Sequence, residues 1–367
     1  MATLTTGEPL MTVNLPLLCR LLVTSAAVAF CPALHAGPTY SAPVPFNRPG
    51  STVTQPWDIN DSGVIVGRAD GVGFVYSNGS FSDVTYPGAG GLEVSGISNS
   101  GDIVGTYAHT GTGSVIQSGF ILSGSTFTPY DVPGATSTLI RHVSSDGRYL
   151  SGTWDDNGVG NSSRHGFVFD RTASVLTLLD VPSATVIVVQ GVTVLGKVTG
   201  SYSGVPGLGT TAFVYDIASH TRVDYSSVNG LPAPHFRDST DTGLITGFVG
   251  DEGVAGNSAL VGRPGDWTTI APPAGMTTII GYGLNNAGVL VGYTVDAVGF
   301  HGFIATPVPE PAAAVLLAMG LAAMALRRRC LVGADLNLTP GGADEFLDFL
   351  EGSSCIHTRN GFARALV

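Results

Sequence analysis

Six times between Ile59 and Gly292 the chain repeats one phrase: a short apolar run, a turn carrying glycine, and a second apolar run ending on another glycine. It reads Ile59-Asn60-Asp61-Ser62-Gly63-Val64-Ile65-Val66-Gly67, then Ile97-Ser98-Asn99-Ser100-Gly101-Asp102-Ile103-Val104-Gly105. It returns at residues 143–152, 192–200, 239–247 and 284–292. The turn glycines Gly63, Gly101, Gly147, Gly196, Gly243 and Gly288 are spaced by 38, 46, 49, 47 and 45 residues. A period of this length marks a repeat architecture, and it narrows the possible folds more than any other feature of the chain.

Two further elements accompany most repeats. One is a Gly/Ala-Phe strand: Gly73-Phe74, Gly119-Phe120, Gly166-Phe167, Ala212-Phe213 and Gly302-Phe303, with Ala259-Leu260 in the fifth repeat. The other closes on proline, as in Tyr130-Asp131-Val132-Pro133 and Leu179-Asp180-Val181-Pro182. Each repeat thus holds four short strands. Val, Ile, Phe and Tyr suit a pleated, half-buried surface, and Asn/Asp/Ser-Gly pairs suit tight hairpins. Four strands per repeat predict an all-β, six-bladed β-propeller over residues 37–306. The sixth repeat runs out before its fourth strand, and the segment Val44-Pro45-Phe46-Asn47-Arg48-Pro49-Gly50-Ser51 resembles the missing one. The N-terminal strand is therefore expected to complete the last blade and close the ring, leaving no open sheet edges.

The ends of the chain read differently. Residues 312–326 are apolar without interruption, preceded by Val308-Pro309-Glu310-Pro311 and followed by Arg327, Arg328 and Arg329. The two prolines keep the leader extended, and the Ala/Leu/Met run favours a helix. Fifteen residues span roughly 22 Å, short of a ~30 Å hydrocarbon core, so the flanks must complete a marginal span. The arginines then face the cytoplasm. At the N-terminus, residues 21–30 form an apolar segment behind Arg20, as in a secretory signal, with cleavage expected after Ala36. Glu8 in the leading stretch makes Met11 a candidate start. The division is thus a signal peptide over 1–36 with its helix, the propeller over 37–306, a sorting segment with an apolar helix over 307–329, and an atypical tail over 330–367. Cys19, Cys31, Cys330 and Cys355 all fall outside the propeller, which has no disulfide or thiol chemistry.

The arrangement Val308-Pro309-Glu310-Pro311, apolar helix and triple arginine resembles the PEP-CTERM sorting signal of Gram-negative bacteria. That resemblance implies processing near the motif by an exosortase, a membrane transpeptidase. It also implies transient inner-membrane anchoring, and a destination at the cell surface or outside it, often with exopolysaccharide. The repeats are similar to extracellular HAF repeats, on the strength of His165-Gly166-Phe167, Thr211-Ala212-Phe213 and His301-Gly302-Phe303; that family implies no defined activity.

Residues 37–309 carry a net charge of −10, which excludes nucleic acid as a natural partner. No catalytic, cofactor or metal residue is assigned from the sequence. Asp58-Ile59-Asn60-Asp61-Ser62-Gly63 begins like a calcium loop, but Ala69 stands where a bidentate acid is needed, so a hairpin turn is expected. Asp155-Asp156-Asn157-Gly158 reads as an exposed loop tip. His165 and His301 recur in register, as packing residues would; His142, His220 and His235 are isolated. Gly207-Leu208-Gly209 lacks the helix a phosphate cradle needs. Asp131 and Asp180 occupy equivalent positions and read as turn residues. Trp57, Trp154 and Trp267 are expected to pack within blades, or else to form a glycan-binding shelf. The sequence therefore favours an exported, non-enzymatic surface or matrix protein, with a carbohydrate-active hydrolase or lyase, or a glycan-binding propeller, as the alternative.

Overall fold

The computed structural model describes residues 38–308, apart from 87, 111–114, 157–163 and 252, together with Gly320. The signal helix, the tail and, apart from Gly320, the apolar sorting helix lie outside these residues. The chain divides into two units, residues 1–308 and 309–367. The elements of the first unit, among the described residues, are all strands.

In chain order these are β1 (Val44–Phe46), β2 (Thr54–Ile59), β3 (Ile65–Ala69), β4 (Val72–Ser77), β5 (Ser80–Val84), β6 (Gly91–Ile97), β7 (Ile103–Thr110), β8 (Val115–Ser123) and β9 (Thr126–Tyr130). Next come β10 (Ser137–Val143), β11 (Tyr149–Asp155), β12 (Arg164–Asp170), β13 (Val175–Leu179), β14 (Val186–Val192), β15 (Lys197–Ser203), β16 (Thr211–Asp216) and β17 (Thr221–Tyr225). After a small hairpin of β18 (Ser227–Val228) and β19 (Leu231–Pro232) come β20 (Pro234–Ser239), β21 (Ile245–Val249), β22 (Ser258–Arg263), β23 (Asp266–Ile270), β24 (Thr278–Leu284), β25 (Leu290–Val295) and β26 (Phe300–Ala305).

Consecutive strands pair antiparallel in fours: β2–β5, β6–β9, β10–β13, β14–β17 and β20–β23. A single parallel bridge, Arg164 to Val186, joins the third and fourth of these groups. The last sheet is ordered β1-β26-β25-β24, so its outer strand comes from the N-terminal end. Val44 pairs with Ile304, Pro45 with Phe303 and Phe46 with Gly302.

The hydrophobic core lies between sheets. One cluster joins Val66 and Val84 to Leu92, Val94 and Phe120 of the following sheet. Another joins Val104 and Ile121 to Ile140, Leu150 and Phe167. The series continues through the later sheets and returns to its start, where Phe46 and Val291 pack on Ile59, Ile65 and Phe74. The sheets therefore stand side by side in a closed circle, the arrangement of a β-propeller.

The recurring residues have a common physical role. Each first strand carries a β-bulge opposite the glycine that ends the repeat phrase, for example between Pro56 and Asp58 facing Gly67, and between Ile140 and His142 facing Gly152. A Cβ on Gly67, Gly152 or Gly200 would sit 2.2, 2.1 or 2.4 Å from a carbonyl oxygen of the first strand. The phenylalanine of the third strand covers the same glycine, and Phe74, Phe120, Phe167, Phe213 and Phe303 are all fully buried. The glycine preceding that phenylalanine meets the next sheet: a Cβ on Gly73 would lie 2.5 Å from Val94, and one on Gly119 2.6 Å from Ile140.

Candidate functional site

The first strands β2, β6, β10, β14, β20 and β24 line the axis, and their bulges aim equivalent residues at it. Five residues before each turn glycine stand Asp58, Gly96, His142, Gly191, Asp238 and Gly283. Side chain and glycine thus alternate around the ring. The glycines give the side chains room, since a Cβ on Gly191 would fall 2.8 Å from the Cα of Asp238, and one on Gly283 2.6 Å from that of Asp58. Three polar side chains converge where six would not fit.

Each of the three accepts a backbone N–H from the next sheet. Asp58 accepts the N–H of Ile59 at 2.7 Å and that of Ile97, in the next sheet, at 2.7 Å. Asp238 accepts from Ser239 at 2.6 Å and from Leu284 at 2.8 Å. His142 Nδ1 accepts the N–H of Val192 at 3.4 Å. Ile97, Val192 and Leu284 occupy equivalent positions. In the neutral ring, with Nδ1 accepting, the proton sits on Nε2, which faces Asp238 Oδ1 at 3.2 Å and Asp58 Oδ2 at 3.5 Å. Asp58 and Asp238 are nearly fully buried. Among the described residues this is the group of His and carboxylate side chains able to hold a metal ion, with donor atoms within 4.8 Å of one another.

Burial lowers the pKa of His142, but the adjacent Asp238 and Asp58 carboxylates more than reverse this and raise it from 6.5 to about 9. Burial raises Asp238 from 3.8 to about 7, opposed by His142 and reinforced by Asp58. Both values are higher in the folded state, so folding is linked to proton uptake. The Asp238 contribution to stability is present below pH 3.8 and lost as pH rises through about 7; that of His142 is present below 6.5 and lost through about 9. Melting temperature in the presence of a chelator is therefore expected to fall between pH 6 and 9, and to fall less in Asp238→Asn. Calorimetry across that range checks this, and a flat wild-type profile would contradict it.

Two cavities of about 30 Å³ flank the triad. One is lined by Asp58, Asp61, Asp238 and Asp241 with no arginine or lysine. Beyond the triad on that side, turn residues form a hydrogen-bonded girdle. Asn99 donates to Asp61 at 2.7 Å, and Asn286 donates to Asp61 at 3.0 Å and to Asp241 at 2.9 Å. Ser145 donates to Asp241 at 2.8 Å. Burial pushes Asp61 upward, but the bonds from Asn286 and Asn99 hold it below the usual carboxylate range. The other cavity is lined by Trp57, Ser95, Arg141, Gln190, Arg237 and Tyr282, one residue from each bulge, together with His142 and Asp238.

The other sequence candidates are dispersed. Asn60 Oδ1 accepts from Ser62 and Val64 at 3.1 and 3.0 Å, so the calcium-like segment is a hairpin turn. Asp155 is not at a loop tip: it ends β11, 1% exposed, beside Arg164. Asp131 and Asp180 are exposed, well outside the ring; Asp131 accepts from Ser118 and Asp180 pairs with His165. His165 stacks on Trp154, His235 on Phe248, and Trp267 on Phe236. His301 lies against Asn47, beside the closing strand, and His220 contacts Tyr215. Trp57 reaches the axis and stacks on Tyr282. Val308 is 45% exposed, and its N–H donates to Thr39 O at 2.8 Å. Pro309, Glu310, Pro311, Arg327, Arg328 and Arg329 lie outside the described residues, as do Met11 and Ala36.

Residues 307–329 match the PEP-CTERM protein-sorting motif. The motif implies exosortase-dependent export to the cell surface or beyond. No curated protein matches the chain. Similar solved structures include TolB from Acinetobacter baumannii (12% identity, 81% of this chain, 71% of that one, TM-score 0.42). They also include putative TolB from Agrobacterium tumefaciens (12%, 74%, 91%, 0.43) and the gluconolactonase XC5397 from Xanthomonas campestris (13%, 77%, 99%, 0.44). Likeness at this level says nothing of activity.

Proposed function

We propose that the chain is an exported, non-enzymatic surface or matrix protein of a Gram-negative bacterium: a six-bladed propeller of HAF-type repeats. In this reading a signal peptide ending at Ala36 exports it, residues 312–326 hold it briefly in the inner membrane, and an exosortase cuts near Val308-Pro309-Glu310-Pro311. The cut removes the apolar segment, Arg327–Arg329 and the tail of residues 330–367. The observation that carries the reading is the sorting motif beginning at residue 307, directly after β26. Extracellular polysaccharide is the proposed neighbour at the destination.

The axial geometry weighs against a hydrolase or lyase using the channel. The flanking cavities of about 30 Å³ are an order of magnitude below the ~300 Å³ that small-molecule sites offer. Asp58 and Asp238 are also bound to backbone N–H groups rather than open to a substrate. Mass spectrometry of the mature protein from the native envelope tests the sorting reading. A C-terminus at 309–311 is expected; a mature chain ending at Val367 would overturn it.

A further inference from the structure

We propose that Asp58, His142 and Asp238 bind one divalent transition-metal cation of the zinc or manganese class at the propeller axis. Four independent features converge on it. The first is spacing. Donors about 2.1 Å from a tetrahedral ion stand roughly 3.4 Å apart, and His142 Nε2 lies 3.5 and 3.2 Å from the two carboxylates.

The second is charge. Two nearly fully buried carboxylates face the axis, and no arginine or lysine among the described residues forms an ion pair with either. A divalent cation neutralises both at once, whereas a protonated His142 neutralises one. The third is orientation: each carboxylate is fixed by two backbone N–H bonds, one from its own sheet and one from the next. Such outer partners hold ligands in place before the metal arrives.

The fourth feature is room and polarity beside the triad. The acidic cavity of about 30 Å³ has space for a water ligand. At the position following Asp58, Gly96, His142, Gly191, Asp238 and Gly283, five residues are aliphatic: Ile59, Ile97, Val143, Val192 and Leu284. The sixth is Ser239, 8% exposed and lining that cavity, and its hydroxyl has no hydrogen-bond partner among the described residues. A metal-bound water there would supply one. Asp61 and Asp241 make this mouth the entry for a cation, while Arg141 and Arg237 line the opposite cavity. Mixed carboxylate and imidazole donors select a borderline first-row ion over calcium or magnesium, which prefer all-oxygen shells.

Ligation at Nε2 leaves the imidazole proton on Nδ1. The 3.4 Å contact from Val192, near the outer limit of a hydrogen bond, is then given up. The full chain, stripped with a chelator and titrated with Zn²⁺, is expected to take up one equivalent and to melt at a higher temperature. Ca²⁺ is expected to do neither. Asp238→Asn and His142→Gln are expected to weaken Zn²⁺ binding on the order of 100-fold, and Asp131→Asn at the rim to leave it unchanged. Should the axial variants not fold, the wild-type protein still decides. One equivalent of Co²⁺ is expected to give the visible spectrum of a nitrogen- and oxygen-ligated ion, and one equivalent of Zn²⁺ to leave the His142 ring in the neutral Nδ1–H form by NMR. No stoichiometric uptake of Zn²⁺ or Co²⁺, or an unchanged Zn²⁺ affinity in a folded Asp238→Asn variant, would overturn the proposal.

Discussion

A variant lacking residues 38–48 is expected to lose its folded monomer. Those residues contain β1, which completes the last sheet through pairs from Val44–Ile304 to Phe46–Gly302. They also contain Phe46, only 7% exposed, which contacts Phe74, Tyr76 and Phe81 of the first sheet at ring separations of 6.2, 4.3 and 5.1 Å. Loss of a buried phenylalanine alone costs about 3–5 kcal/mol. Removing the strand also strips the outer edge of β26 and leaves a template for pairing between chains. Against a net stability of about 5–15 kcal/mol, the sum is expected to give unfolded or edge-paired oligomeric protein. Light scattering coupled to size exclusion, with circular dichroism, reads this directly; a monomer melting like the parent would contradict it.

Gly152→Val is the second large expected effect. Its Cβ would lie 2.1 Å from Leu139 O and 3.0 Å from both the Leu139 carbonyl carbon and the Phe167 ring. Two of these neighbours are backbone atoms within the β10–β11 ladder, so relief requires breaking the bulge that aims His142 at the axis. A destabilisation of about 4 kcal/mol or more is expected, at the far end of what single substitutions do, read as a shift in the urea midpoint. Gly209→Val is the control. Nothing lies within 4 Å of its added Cβ, and its change is expected to stay within about 0.5 kcal/mol. Equal effects at the two positions would refute the argument.

The architecture was legible because its signals are local. Turn glycines, β-branched strands and the Gly-Phe pair each act within a few residues and recur in register. The axial triad was also written in the chain, one residue ahead of the repeat phrase. Asp58, Gly96, His142, Gly191, Asp238 and Gly283 form one column when the repeats are aligned on the turn glycine. It was hidden because catalytic or ligating residues are sought as clusters in sequence, whereas here Asp58 and His142 are separated by 84 positions and meet only when the circle closes. Strand periodicity did not help either. β20 is buried at every residue, so Phe236, Arg237 and Asp238 show no alternation, and the bulge reverses the expected facing of the residues after it. Asp155 misled for a related reason: an Asp-Asp-Asn-Gly string reads as a turn, yet its first member belongs to the strand and is covered by Arg164.

The placement of the last strand has a mechanical consequence. β26 is an inner member of its sheet, paired with β25 on one side and β1 on the other, and the chain leaves it three residues before Val308. If the mature protein is held at its C-terminus, any drag on it enters through β26 along the strand direction. Such a pull must shear two hydrogen-bonded ladders together, whereas a tether on an edge strand would peel one ladder apart bond by bond. Thr39 and Val308 are also bonded to each other, so the force is shared with the opposite end of the polypeptide before it reaches the sheet. In that case the strand that bears the tether is also the strand that joins the ring at its seam.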